Sequence, residues 1–187
     1  MVKIITPVET EPVSLAEVRQ HLRLPEEQTE DDLLLGLIRT ARAYCENFTR
    51  CALAEQTLEM YLDRFPVNSS IMLPYPPLRS VMEIGCKDSA GIEMILPTSD
   101  YIVDTDREPG RVMPGFGVSW PVFTPFPAAP IRIRFVAGYA VLPEPIRQAM
   151  LLLVGHWYEN REATGTAKDQ TAFSVHALLS PYRVEEF

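Results

Sequence analysis

The sequence predicts an α+β chain, mainly α, with an N-terminal helix pair, a small antiparallel β unit in the middle and C-terminal helices. Three observations carry this prediction. Apolar residues recur at helical spacing from Leu15 to Phe48, they give way to short β-favouring runs between Gln56 and Val136, and helical spacing returns from Ile146 to Trp157. With 187 residues and 47% hydrophobic content, the chain is large enough to build a substantial core.

An extended lead-in marked by Thr6-Pro7 and Glu11-Pro12 comes first. Ser14-Leu15-Ala16-Glu17 is a capping-box pattern, and Leu15, Val18 and Leu22 line one face of a short helix that Pro25 ends. A second helix starts at Thr29-Glu30-Asp31-Asp32, where acids suit the positive helix N-terminus. Leu34, Leu37, Ile38, Ala41, Cys45 and Phe48 continue its stripe to about Thr49. The short connection around Pro25 to Gln28 favours an αα-hairpin with the apolar faces turned inward.

Six strands are then predicted: Gln56 to Leu62, Ile71 to Leu73, Arg79 to Cys86, Ile92 to Leu96, Tyr101 to Asp104 and Ile131 to Val136. Asp88-Ser89-Ala90-Gly91 is a hairpin turn between two of them. Residues 106–130, rich in proline and glycine, read as a long irregular loop carrying Phe116, Trp120, Phe123 and Phe126. Pro143-Glu144-Pro145 suits the first turn of a helix along which Ile146, Ala149, Met150, Leu153 and Trp157 recur, with Leu151, Leu152 and Val154 widening the face. A polar linker from Asn160 to Gln170, flexible at Thr164-Gly165-Thr166, leads to a last short helix, Phe173 to Tyr182, interrupted near Pro181.

Composition narrows the function. Asp and Glu number 25 against 17 Lys and Arg, a formal charge of -8, which disfavours a protein that grips DNA or anionic lipid over its whole surface. The longest apolar run, Met150 to Val154, is too short to span a bilayer, and the N-terminus lacks a signal-peptide pattern, so a cytoplasmic protein is expected. Cys45, Cys51 and Cys86 form an odd set without CxxC spacing, and they read as reduced, mostly buried thiols.

No catalytic, cofactor or metal constellation emerges. His21, His156 and His176 fall on three different predicted helices, and only Glu159, three positions after His156, offers a companion. Pro114-Gly115-Phe116-Gly117 is not a dinucleotide-binding turn, and Ser14 is explained as a helix cap. The acids Glu26, Glu27, Glu30, Asp31 and Asp32 read as a solvated helix start rather than a calcium loop. Asp100, Asp104, Asp106 and Glu108 read as an edge kept soluble rather than a carboxylate pair. Two segments leave a binding role open. The aromatics from Phe116 to Phe126 either anchor an interface or cap the β unit, and the C-terminal Pro181 to Phe187, with Tyr182, Arg183 and Phe187, is either a frayed end or an arm ordered by a partner.

The order of motifs nonetheless resembles a known family. Pro12 to Leu24 is followed by Asp31-Asp32 with Leu33-Leu34-x-x-Leu37-Ile38 and Ala41-Arg-Ala-Tyr-Cys-Glu46. Then come Pro74 to Val81 (PYPPLRSV), Pro109-Gly-Arg111, Trp120-Pro121, Phe135-Val-Ala-Gly-Tyr139, Pro145 to Arg161 and Ala177 to Arg183. Singly these are caps, turns and core patterns; in this order, over nearly the whole chain, they resemble the head-tail connector (head-tail adaptor, head completion) family of tailed bacteriophages.

The resemblance implies a helical core, from residues 1–53 and 141–187, carrying an inserted β portion, residues 54–140. It implies a structural virion protein and not an enzyme, with no catalytic residue, cofactor or metal. The expected partners are copies of itself in a ring of about twelve subunits, the portal protein above it and the next neck or tail component below. DNA would pass through the channel without specific binding, without any membrane being involved, in a protein assembled in the bacterial cytoplasm and resident in the virion neck. Three other readings compete: another neck or tail-completion protein, a small enzyme with a carboxylate or His156–Glu159 pocket, and a host-encoded binding module.

Overall fold

The computed structural model describes residues 1–25, 30–66, 70–160 and 168–184. Among these, 35% helix stands beside 27% strand, in four α-helices and eight strands arranged as two antiparallel sheets. The expectation of a mainly α chain is therefore wrong.

Two segments account for much of the underestimate. The lead-in forms strand β1 (Val2–Thr6), whose side chains are almost all exposed, so its place rests on backbone pairing that no apolar alternation announces. Within the stretch read as irregular, Arg111–Pro114 forms a strand despite its proline and glycine surroundings.

The chain divides into two compact units. The β unit comprises Met1–Glu9 and Glu55–Gly138. Its larger sheet contains β1, β2 (Gln56–Leu62), β4 (Leu78–Lys87), β5 (Glu93–Ile95) and β8 (Ile131–Ala137), in the order β1-β2-β8-β4-β5. Its smaller sheet contains β3 (Ile71–Met72), β6 (Tyr101–Asp104) and β7 (Arg111–Pro114), in the order β3-β7-β6.

On β8 the alternation Ile131, Ile133, Phe135, Ala137 is buried and the intervening residues are half-buried. Register places Leu58 of β2 opposite Phe135 and Met60 opposite Ile133, while Ile84 of β4 meets Ile133 from the other side. One face of the sheet is thus apolar. Ile71, Leu73, Tyr101 and Val112 of the smaller sheet are buried as well. At Gly110 an added Cβ would lie 2.5 Å from Leu78 Cβ, so the β6–β7 connection approaches β4 as closely as a glycine allows. The Asp88 turn forms as expected: its carboxylate accepts the Ala90 and Ile92 amides, both at 2.9 Å, and Gly91 takes a φ of 84°.

The helical unit comprises Thr10–Ala54 and Tyr139–Phe187. Helix α1 (Leu15–Leu22) carries the full capping box: the Glu17 amide donates to Ser14 Oγ at 3.2 Å, and the Ser14 amide donates to Glu17 Oε2 at 2.8 Å. Helix α2 (Asp31–Thr49) ends where expected, on Arg50 in the left-handed conformation. Helix α3 (Glu144–Glu159) buries Ile146, Ala149, Met150, Leu153 and Val154, and α4 (Lys168–Leu179) contributes Val175 and Leu179 to the same core as Val18, Leu34, Ile38, Ala41 and Cys45. Helix α4 begins before the expected Phe173, and a 3-10 turn at Ser180–Tyr182 takes up Pro181. Thr164 to Thr166, Thr29 and much of the first interhelical connection lie outside the described residues.

Candidate assembly interface

The four loop aromatics are sorted by the fold. Trp120 is buried and stacks on Phe65 with ring centroids 4.7 Å apart and planes 9° apart, and Phe123 meets the same ring edge-on at 6.5 Å. Phe126 is half-buried under the Lys87 ammonium, 4.3 Å from its ring centroid. Phe116 differs: it is fully exposed at the tip of a turn between two glycines. The Gly115 amide donates to the Asp100 carbonyl at 2.9 Å, the Val118 amide donates to the Gly115 carbonyl at 3.0 Å, and Gly117 adopts a φ of 74°. Val118 and the fully exposed Val122 lie close by in the chain. Phe65 and Val122 were not singled out from the sequence, because neither belongs to a periodic pattern.

At the other end of the chain, the residues after α4 run back along the end of α2. The Val184 amide donates to the Thr49 carbonyl at 2.9 Å, the Cys51 thiol donates to the Tyr182 carbonyl at 3.4 Å, and the Arg183 guanidinium lies 5.6 Å from the Phe48 ring centroid. Phe187 lies outside the described residues.

The second face of the larger sheet is charged. Arg132 of β8 reaches Glu59 at 3.1 Å, Glu83 at 2.5 Å and Glu93 at 2.6 Å, while Arg134 binds Glu59 at 2.6 Å. Gly85 makes this reach possible. It sits opposite Arg132, and an added Cβ there would come within 2.6 Å of Glu93 Oε1. Burial works against the charge on Glu59, but hydrogen bonds from Tyr61, Arg134 and Arg132 outweigh it and hold its carboxyl below the usual range. Next to this network opens a cleft of about 550 Å³ lined by Tyr61, Phe126, Ala128 and Pro130 together with Lys3 and Lys87. Lys3 lies 5.0 Å from the Tyr61 ring centroid.

The residues considered for chemistry fall at several places in the fold. His176 stacks on Phe48 at 4.8 Å, with Nε2 3.1 Å from the Tyr44 hydroxyl. His21 and His156, unrelated in sequence, line one cleft in the helical unit with Glu159 and Asn160. Asp104 pairs with Arg111 at 2.9 Å, Asp31 pairs with Arg19, and Glu30 accepts a hydrogen bond from Tyr158. Glu26 and Glu27 lie outside the described residues. Among the described residues, no group of three His, Cys, Asp or Glu could hold a metal ion.

A search of curated proteins returns no match. Solved structures do match. A chain in the neck of an empty gene transfer agent particle computed with C6 symmetry shares 26% identity at a TM-score of 0.83, covering 100% of this chain and 97% of that one. A chain in the virion of a native gene transfer agent particle shares 27% identity, and one in the neck of the native particle computed with C12 symmetry shares 26%; both have a TM-score of 0.81 and the same coverage. The family model described as "Head completion protein" matches residues 11–176. The chain therefore belongs to the head completion protein family, and it is a structural head-tail connector of the virion neck.

Proposed function

We propose that the chain works by closing into a ring of about twelve copies, through repeated contact between two unlike patches, and that the ring seats on the portal and passes the DNA channel on to the next neck or tail component. The observation that carries this reading is the full-length likeness to chains of gene transfer agent necks computed with C6 and C12 symmetry. A point-group ring needs surfaces rather than a reactive centre, and the chain is read as a non-enzyme on the strength of its structural family. Among the described residues, no helix is long and apolar enough to cross a membrane. Assembly is assigned to the bacterial cytoplasm, before the particle is complete.

Two surfaces are proposed to meet partners: the exposed turn bearing Phe116, and the C-terminal arm with Tyr182, Arg183 and Phe187. Trp120, Phe123 and Phe126 support the first from behind, by fixing the loop that carries it. Passage of DNA without specific binding is favoured by the charge economy of the chain. Arg19, Arg42, Arg111, Arg132, Arg134 and Arg147 are each held by carboxylates of their own chain, which leaves them poorly placed to grip phosphate.

Native mass spectrometry of the protein, alone and mixed with the portal ring from the same genome, tests the proposal. A closed ring in either condition is the expected result, and formation only on the portal identifies templated assembly. A monomer that ignores the portal would overturn it.

A further inference from the structure

We propose that the larger sheet continues from copy to copy around the ring, with the free edge of β5 in one subunit pairing with the free edge of β1 in the next. This rests on the ring reading above and names the two unlike patches that it requires: the two ends of one sheet, each covered by a second copy of the chain.

Both ends of the sheet carry backbone groups that their own chain leaves open. In the order β1-β2-β8-β4-β5, each end strand has a neighbour on one side only. The Tyr61 amide donates to the Met1 carbonyl at 3.0 Å, and bonded and non-bonded pairs alternate along an antiparallel ladder. Lys3 therefore turns its N–H and C=O toward β2, while Val2 and Ile4 turn theirs outward. At β5, the Asp88 amide donates to the Ile92 carbonyl at 3.0 Å and the Leu96 amide donates to the Ile84 carbonyl at 2.9 Å, which leaves the N–H and C=O of Glu93 and Ile95 on the outer side. Among the described residues, no backbone hydrogen bond reaches these outward groups.

The two edges also match in their side chains. Register puts Val2 and Ile4 on the apolar face with Leu58 and Phe135, and puts Met94 on that same face with Cys86 and Ile131. Ile4 is 62% exposed and Met94 50%, so the apolar face runs out to both edges uncovered. On the other face stand Lys3 at the β1 edge and Glu93 at the β5 edge, opposite charges at opposite ends of the sheet. In a continued sheet, apolar edge meets apolar edge on one face and Lys3 approaches Glu93 on the other, so burial and charge select the same pairing. Every pairing within the sheet is antiparallel, and its first and fifth strands therefore run the same way. Copies related by an axis near the strand direction keep that sense, which makes the junction a parallel ladder. It is short, because β5 has three residues and the register of β1 shifts after Ile4. A single junction is accordingly weak, which fits closure of the ring on the portal.

Proline tests the junction, because at an outward position it removes a donor that the chain's own ladder does not use. Ile4→Pro and Ile95→Pro should each leave the circular dichroism spectrum and melting temperature of the subunit near those of the wild type, while native mass spectrometry shows ring formation on the portal weakened by about tenfold or more. Ile4→Ala, which keeps the N–H, should lose less. Cross-linking gives a second readout with both edges intact. Cys45, Cys51 and Cys86 are all buried, so Ile4→Cys and Ile92→Cys supply accessible thiols, with three strands between them in one copy. With a short bis-maleimide, the double variant is expected to give a ladder of covalent multimers, whereas each single variant stops at or below a dimer. Normal rings in both proline variants, or rings of the double variant that give no ladder, would overturn this contact and leave the ring reading standing. Absence of a ring in the wild-type chain, both alone and on the portal, would overturn both.

Discussion

At the scale of single residues, the most constrained positions are those where charge or volume has no alternative. Glu59 is only 3% exposed and keeps its charge because Tyr61, Arg132 and Arg134 surround it. Arg132→Ala removes one of these, leaves Glu93 without its basic partner and leaves Glu83 with Arg134 alone, so a loss of about 2 kcal/mol in unfolding free energy is expected by chemical denaturation. Gly110→Ala places a methyl against Leu78 Cβ, not against a flexible chain end, and should cost about 1–3 kcal/mol. Arg23 and Arg50 end their helices in the left-handed conformation, with φ of 56° and 62°. Arg23→Gly should stabilise by about 0.5–1 kcal/mol, read as a raised melting temperature. Neither Gly110 nor the two arginines could be recognised in sequence: the first depends on an approach between distant segments, and the others lack the glycine that usually marks such a helix end.

At the scale of elements, caps and ion pairs translate into pH dependence. The carboxyls of Glu17 and Glu59 are held below the ordinary value of 4.5. Ser14 and Arg147 hold down the first, and the second is lowered by its ring of donors despite burial. Groups lowered by folding stabilise above their unfolded value and lose that contribution as pH falls through the folded one. Glu46 acts in the opposite sense, because burial raises its pKa and its protonation favours the fold as pH falls. Thermal melts taken downward from pH 5 should therefore show falling stability in the wild type, with a shallower fall in Ser14→Ala, which has already lost much of the α1 cap. On the alkaline side, burial pushes the Cys45 thiol up to about 12, so stability associated with that group declines as pH rises above 9, its ordinary value.

At the same scale, the helices were more legible than the sheets. Ser14 to Glu17, the end of α2 at Thr49 and the entry of α3 at Pro143 follow from local rules of capping and spacing. Strand β1 was missed because its exposed side chains carry no alternation, and β7 because its segment is punctuated like a loop. Strand β7 joins β3 and β6 into a second sheet and β1 extends the first, which is why the balance of helix and strand differs from the expectation.

For the whole molecule, the decisive property is self-assembly. Retention of duplex DNA by the isolated ring at physiological salt would contradict the proposed free passage of DNA. The order of caps, turns and core stripes, and with it the family, is legible in the chain without knowledge of contacts, because these are local patterns. Tertiary structure decided which aromatics are buried against Phe65 and which one stands in solvent. It also decided that Lys3 and Lys87 share a recess, and that Arg132 reaches across Gly85 to three carboxylates. Such features depend on register and packing between residues far apart in the chain, and no local rule of periodicity or propensity contains that information.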